Sequence, residues 1–171
     1  MADSSTVSAV AIGVHPLWQP NLPDGSSAVW ISYGYTGYGD AGPYQPYAGT
    51  TALAYASQTF SSTQGQSLSL KIWADDTSWV VLDGITLQVP NFTQNICADG
   101  PIGCQPNEYG EFHVNLAAGD HTLKMYMYQV GTGTNNNDNP FGILYYGSVP
   151  EPASLALLGT GLFGLAFRRR K

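Results

Sequence analysis

Positive charge is scarce in most of this chain. Four of its six basic residues are the last four, so the residues before Val149 contain two lysines against eleven acidic side chains. The resulting net charge of about −9 argues against nucleic acid or an anionic lipid surface as partner of this acidic part, and it permits cations. Charged residues are few in the whole chain, at 11%, whereas aromatic residues make up 12%, a mixture typical of β-rich extracellular proteins.

Cysteine is also scarce, since the chain has only Cys97 and Cys104. Two thiols at this spacing, without a second Cys or His pair beside them, fall short of a zinc site. Because they lie close together in a segment rich in Gly, Pro and Asn, we predict a disulfide between them. A disulfide would place this part of the chain in an oxidising compartment.

The first residues, MADSSTVSAVAIGVHPLW, lack the basic n-region and the long apolar h-region of a secretory signal peptide. Removal of a signal, an initiator Met in front of a mature segment and a misplaced start codon are all consistent with this beginning. The sequence leaves these three alternatives open.

No amphipathic helix is indicated in residues 1–148, which instead contain short alternating or β-branched segments between turn residues. We therefore predict an all-β domain over 1–148: a two-sheet β-sandwich with a jelly-roll topology. The turn at 117–120 predicts that the strands on either side of it form a hairpin, and the tyrosine-rich segment 33–49 is predicted to be a long surface loop. The expected strands are 28–33, 51–60, 67–74, 79–82, 85–89, 111–116, 121–130 and 141–146.

The C-terminus has three parts in a fixed order. Val149, Pro150, Glu151 and Pro152 come first, an uncharged apolar run over 153–167 follows, and Arg168, Arg169, Arg170 and Lys171 end the chain. As a helix the run would span about 22 Å, which is short for a membrane crossing. The basic cluster is expected to stay in the cytoplasm, which places the preceding domain on the outer side of the membrane.

This ordered signal resembles the PEP-CTERM sorting signal, with which it shares the Pro-Glu-Pro box, the short apolar helix and the Arg-rich end. The resemblance implies an exported protein of a Gram-negative bacterium that makes exopolysaccharide. Its partner would be an exosortase, a membrane-embedded cysteine transpeptidase that cleaves near the box. The precursor would be held in the inner membrane by residues 149–171, and the product would reach the cell surface or the extracellular matrix.

A possible cation site lies at two acidic residues, Asp75 and Asp76, between two predicted strands. With amide and carboxylate oxygens from the loop 132–140, above all Asn137 and Asp138, they could bind Ca²⁺. The pairing resembles galactose-binding-like and protective-antigen-type lectin sandwiches, the latter implying calcium that binds sugar hydroxyls. The alternative is structural: the acidic residues cap a turn, and the Asn run is a solvated loop.

Tyrosines of the segment 33–49 could also bind sugar, because flat aromatic rings stack on pyranose rings. The candidates are Tyr35, Tyr38, Tyr44 and Tyr47. The alternative is that they pack the loop onto a sheet.

The function favoured by these patterns is a non-enzymatic surface or exopolysaccharide-matrix protein, with a calcium-dependent carbohydrate-binding module as the alternative. A small secreted hydrolase is the third hypothesis, but no nucleophile motif or defined pair of acids supports it.

Overall fold

The computed structural model describes residues 7–22, 28–46, 49–63, 65–93 and 102–149. These residues contain nine strands and no helix. The strands are β1 (Val10–Ala11), β2 (Ile31–Ser32), β3 (Ala54–Ser62), β4 (Ser67–Asp75), β5 (Thr77–Leu82), β6 (Ile85–Gln88), β7 (Gly110–Asn115), β8 (Gly119–Tyr128) and β9 (Gly142–Ser148).

The strands form two antiparallel sheets. The first sheet has the order β1-β2-β9-β4-β7, and the second has the order β3-β8-β5-β6. The predicted all-β, two-sheet architecture is confirmed, whereas the jelly-roll topology stays a prediction. The sorting segment beyond Val149, with its expected helix, lies outside the described residues.

Alternation of apolar and polar residues builds the core between the sheets. On β4 Leu68, Leu70 and Ile72 point inward, and on β8 Leu123 and Met125 do the same. These side chains belong to one buried cluster that draws on both sheets, so the two inner faces pack against each other. Burial of this apolar surface is the main force that stabilises the sandwich.

A second buried cluster covers the outer face of the first sheet. Trp73 of β4 and Leu144 of β9 point away from the main core and pack with Trp18 and Trp30, whose rings stack at 4.1 Å between centroids. The residues before β2 therefore cover this face. They bring Trp18 to the end of β4, where the candidate site lies.

Two tight turns connect strands in different ways. Asp83 and Gly84 have positive φ angles of 50° and 81° and close the β5–β6 hairpin, a conformation that an Asp-Gly pair favours. The hairpin predicted around 117–120 is wrong, because β7 pairs with β4 in the first sheet while β8 pairs with β3 and β5 in the second. The turn there carries the chain from one sheet to the other.

Candidate functional site

The candidate site lies at the end of the sandwich where β4 and β5 meet. Asp75 is the last residue of β4 and pairs with Gly142, the first residue of β9. Asp76 is the single residue between β4 and β5, so the chain passes from one sheet to the other there, and the Asp75–Asp76 peptide bond is cis. The predicted pair of acids therefore stands at a sheet crossing and next to the loop that precedes β9.

Asp75 is buried, at 4% exposure, and its carboxylate accepts a hydrogen bond from Trp18 Nε1 at 2.8 Å. Burial raises the pKa of Asp75 well above its ordinary value, and the charge of Asp76 and a hydrogen bond shared with it act in the same direction, while the bond from Trp18 opposes them. Two carboxylates held together away from water are unfavourable when both are ionised. The site therefore favours a proton or a cation between them.

Asp76 is anchored to the loop that follows β8. Its Oδ2 atom accepts hydrogen bonds from the backbone N–H groups of Val130 and Gly131, at 2.8 and 2.6 Å. Asn139 approaches the same glycine, since a Cβ placed on Gly131 would be 3.2 Å from Asp76 Oδ2 and 3.1 Å from Asn139 Oδ1. The absence of a side chain at Gly131 lets the carboxylate and the amide approach each other.

Three buried amide side chains near this end are incompletely hydrogen-bonded within the described part of the chain. The unpartnered atoms are Gln129 Oε1, Asn136 Oδ1 and Asn139 Nδ2. Gln129 Nε2 donates to the backbone carbonyl of Asn139 at 3.1 Å, which ties the Gln129 side chain to the main chain of the loop at this point. A half-turn of the Asn139 amide would exchange its nitrogen and oxygen, so this residue can present either atom to the acidic pair.

The two loop residues proposed from the sequence as cation ligands are exposed. Asn137 Oδ1 accepts a hydrogen bond from Gly39 N at 2.9 Å, and Asp138 Oδ2 accepts hydrogen bonds from Thr134 Oγ1 and Asn135 Nδ2. Both oxygens thus stabilise loop conformation. The buried amide that the structure places beside Asp76 is Asn139, which lies in the same Asn run but was not singled out from the sequence.

Two loops are joined at this end: the tyrosine loop, which is the tyrosine-rich segment described over 33–46, and the Asn loop, residues 132–140. Asn136 Nδ2 donates to three backbone carbonyls of the tyrosine loop, and Tyr44 donates its hydroxyl to the carbonyl of Gly133 at 2.8 Å. Tyr35 is 60% exposed, and Tyr38 is exposed and packs edge-on against His15 at 4.9 Å. Of the candidate sugar-binding tyrosines, two therefore present exposed rings and Tyr44 holds the loops together, while Tyr47 lies outside the described residues.

A third group resembles a hydrolase triad and lies at the opposite end of the sandwich. His121 Nε2 is 2.9 Å from Ser62 Oγ, and His121 Nδ1 is 2.6 Å from Asp83 Oδ2. Hydrogen bonding to Asp83, followed by the contact with the Ala117 carbonyl, raises the pKa of His121. Ser62 donates its hydroxyl to the Ala117 carbonyl, which His121 Nε2 also contacts, so the serine proton is directed to the carbonyl and not to the ring.

Cys104 is fully buried and is not a free thiol. Its predicted partner, Cys97, lies outside the described residues, so the pairing of the two stays a prediction. In the ranges that the structure describes, no three His, Cys, Asp or Glu side chains form a group able to hold a metal ion. No helix in those ranges is long and apolar enough to cross a membrane.

Comparison with known proteins identifies the C-terminus. A family model described as the PEP-CTERM protein-sorting motif matches residues 148–171. The match supports an exported protein that an exosortase processes to the cell surface, as the sequence predicted. No curated protein matches the chain.

Proposed function

We propose that this protein is a non-enzymatic component of the cell surface or exopolysaccharide matrix of a Gram-negative bacterium. In this proposal the apolar run over 153–167 holds the precursor in the inner membrane until an exosortase processes it. A disulfide between Cys97 and Cys104 is part of the same proposal, because export leads to an oxidising compartment.

One structural observation supports this assignment: β9 ends at Ser148, the residue at which the sorting-motif match begins. Ser148 pairs with Ser69 near the start of β4, whereas Gly142 pairs with Asp75 at the end of β4. At about 3.4 Å per residue, β9 separates the two by roughly 20 Å. The sandwich would thus be retained by one end and present the acidic pair and both loops at the other.

The absence of catalysis in this proposal is supported by the group around His121. Ser62 is buried at 9% exposure, and its hydroxyl proton is directed to a backbone carbonyl. A serine in this state is a structural hydrogen-bond donor, because its proton is not directed to the general base that nucleophilic catalysis needs.

The assignment is tested by producing the full-length chain behind a cleavable secretory signal peptide in a Gram-negative host with and without an exosortase. We expect a shorter form at the surface or in the matrix fraction only when the exosortase is present, and accumulation of the precursor otherwise. Glu151→Ala should block the conversion, and Ser154→Ala, a substitution in the apolar run, is the matched control. Retention of the wild-type chain in the cytoplasm with the exosortase present would contradict the proposal.

The second candidate function is calcium-dependent carbohydrate binding, which the buried acidic pair favours. Carboxylate and amide oxygens are the ligands that Ca²⁺ prefers, and Asp75, Asp76 and a rotated Asn139 would supply them. Backbone carbonyls of the joined loops could complete the shell. Tyr35 and Tyr38, exposed on the adjoining loop, would contact the sugar.

Calcium titration of the full-length protein by calorimetry, followed by glycan-array binding with and without EDTA, tests this second function. We expect calcium binding that Asp75→Asn removes and glycan binding that EDTA abolishes. Calcium binding without any glycan binding would leave a structural cation site and refute the carbohydrate-binding function. Turnover of a bound glycan would instead refute the non-enzymatic assignment.

A further inference from the structure

A row of aromatic side chains crosses the outer face of the second sheet, away from the acidic pair. Tyr55 of β3 lies directly opposite Tyr126 of β8, and Tyr126 lies directly opposite Trp79 of β5. Met125, Met127 and Val80, their neighbours in sequence, point into the core, so the three rings point outward. We call Tyr55, Tyr126 and Trp79 the aromatic row.

The aromatic row is ordered by its own contacts. Ring centroids are 5.5 Å apart between Tyr55 and Tyr126, with 40° between the ring planes, and 5.1 Å apart between Tyr126 and Trp79, whose rings stack at 27°. The rings therefore pack against one another and turn their outer edges to solvent. Trp79 Nε1 donates to Thr86 Oγ1 at 3.0 Å, which orients the indole. Tyr55 is 51% exposed. The row spans about 10 Å across three strands, because neighbouring strands lie about 4.8 Å apart, and is longer than one pyranose ring.

A lysine stands on this row without an acidic partner. Lys124 Nζ lies 5.7 Å from the Tyr55 ring centroid, and it forms no ion pair in the part of the chain that the structure describes. Lys71, on the first sheet, lies over Tyr109 in a similar way but is 3.7 Å from Glu111 Oε1. Asp120, on the same strand as Lys124, is about 14 Å away at 3.4 Å per residue, beyond the Debye length of roughly 8 Å at physiological salt. Asp83 lies closer, bonded to Thr122 N at 2.7 Å, but its other carboxylate oxygen pairs with His121.

The size and charge of this surface decide which partner fits it. A stable interface between two copies needs about 800 Å² from each partner, and three rings of which two are half-buried offer much less. A two-fold contact through this face would also bring two Lys124 side chains together. A thin chain with flat C–H faces and negative charge suits the rings and the ammonium group at once.

We infer that the aromatic row with Lys124 is a binding site for an acidic polysaccharide, in which the sugar chain packs on the solvent-facing surface of Tyr55, Tyr126 and Trp79 while a sugar carboxylate pairs with Lys124. This site is separate from the acidic pair, and it needs no calcium.

The test is calorimetric titration of the full-length protein, in detergent and EDTA, with oligogalacturonate and with a neutral cello-oligosaccharide. We expect the uronate to bind more tightly than the neutral chain, and its binding to weaken with added salt. Tyr55→Ala and Lys124→Met should each weaken uronate binding about two- to tenfold. Lys71→Met is the matched control and should leave it unchanged. Thermal unfolding of each variant establishes that the fold is intact.

Several results would overturn the inference: no uronate binding in EDTA, equal binding of the neutral chain, or wild-type affinity in both Tyr55→Ala and Lys124→Met. Binding that appears only with calcium and disappears in Asp75→Asn would assign the glycan to the acidic pair, and so would refute this site while supporting the second proposed function. Uronate binding in EDTA together with a failed calcium titration would support this site and refute the second proposed function.

Discussion

Calcium should stabilise the protein through the buried acidic pair, and the magnitude can be estimated. A ligand that binds only the folded state at 100 times its dissociation constant adds about 2.7 kcal/mol to the free energy of unfolding. For a domain of this size 1 kcal/mol shifts the melting temperature by roughly 2–4 °C, so calcium in this excess should raise it by about 5–10 °C. Thermal unfolding of the full-length protein in EDTA and in excess calcium measures the shift.

Two isosteric variants make this measurement specific. Asp75→Asn removes a carboxylate from the buried pair and should abolish the calcium shift. Asp138→Asn removes one from the exposed loop, where the Asp138 carboxylate bonds only to neighbouring loop side chains among the contacts described, and should preserve it. Equal shifts in both variants, or none in the wild type, would refute the cation site. Loss of the shift in Asp138→Asn alone would restore the ligand set first proposed from the sequence.

The same pair gives the metal-free protein a pH dependence of known sign. The pKa of Asp75 is raised in the folded state by burial and by Asp76, so folding takes up a proton above the unfolded pKa of about 3.9. Stability in EDTA should therefore fall as pH rises from about 4 towards the folded pKa, by at most about 1.4 kcal/mol per pH unit. Asp75→Asn should flatten this slope, and parallel profiles for the two proteins would show that the pair is not coupled to folding.

Three further predictions concern the fold. The raised pKa of His121 means that its contribution to stability is complete below the unfolded pKa of about 6.5 and is lost as pH rises through the folded value; His121→Gln should remove this loss in urea unfolding, and an unchanged profile would contradict it. Leu70→Ala, in the centre of the core, should cost about 2–5 kcal/mol in the same assay, and a cost below 1 kcal/mol would mean the site is not close-packed. Gly42→Ala would place a Cβ 2.1 Å from the backbone oxygen of Tyr35 and should cost about 1–3 kcal/mol, with wild-type stability as the contrary result.

Local patterns in the sequence were sufficient for the strands but not for their pairing. All eight predicted strands overlap strands of the structure, because alternation and turn residues act over a few positions. The two-residue strand β1 was missed, since two residues carry no periodicity. The pairing of β7 with β8 was predicted wrongly because a short turn between two strands is also compatible with a crossing between sheets. A hairpin and a crossing between sheets are distinguished only by how the inner faces of the two sheets pack against each other.

The candidate site was predictable in its acidic half alone. Asp75 and Asp76 follow a strongly alternating strand, so their position at its end could be read from the sequence. Trp18 donates to Asp75 from 57 residues away, and nothing local marks it as a partner. Within the Asn run every position offers the same chemistry, and whether Asn139 or Asn137 faces inward depends on how the loop packs against the tyrosine loop.

The direction of β9 connects the sorting motif with the candidate binding surfaces. Its last residue adjoins the motif, and its first residue pairs with Asp75, so the acidic pair lies at the end of the sandwich away from the motif. The aromatic row runs across strands rather than along them, and it therefore lies on the side of the sandwich. In the function proposed here, a protein retained by the end of β9 would direct its cation site outward and its aromatic row sideways. One molecule could then contact two polysaccharide strands at once, and such double contact raises overall affinity without any new contact at either site.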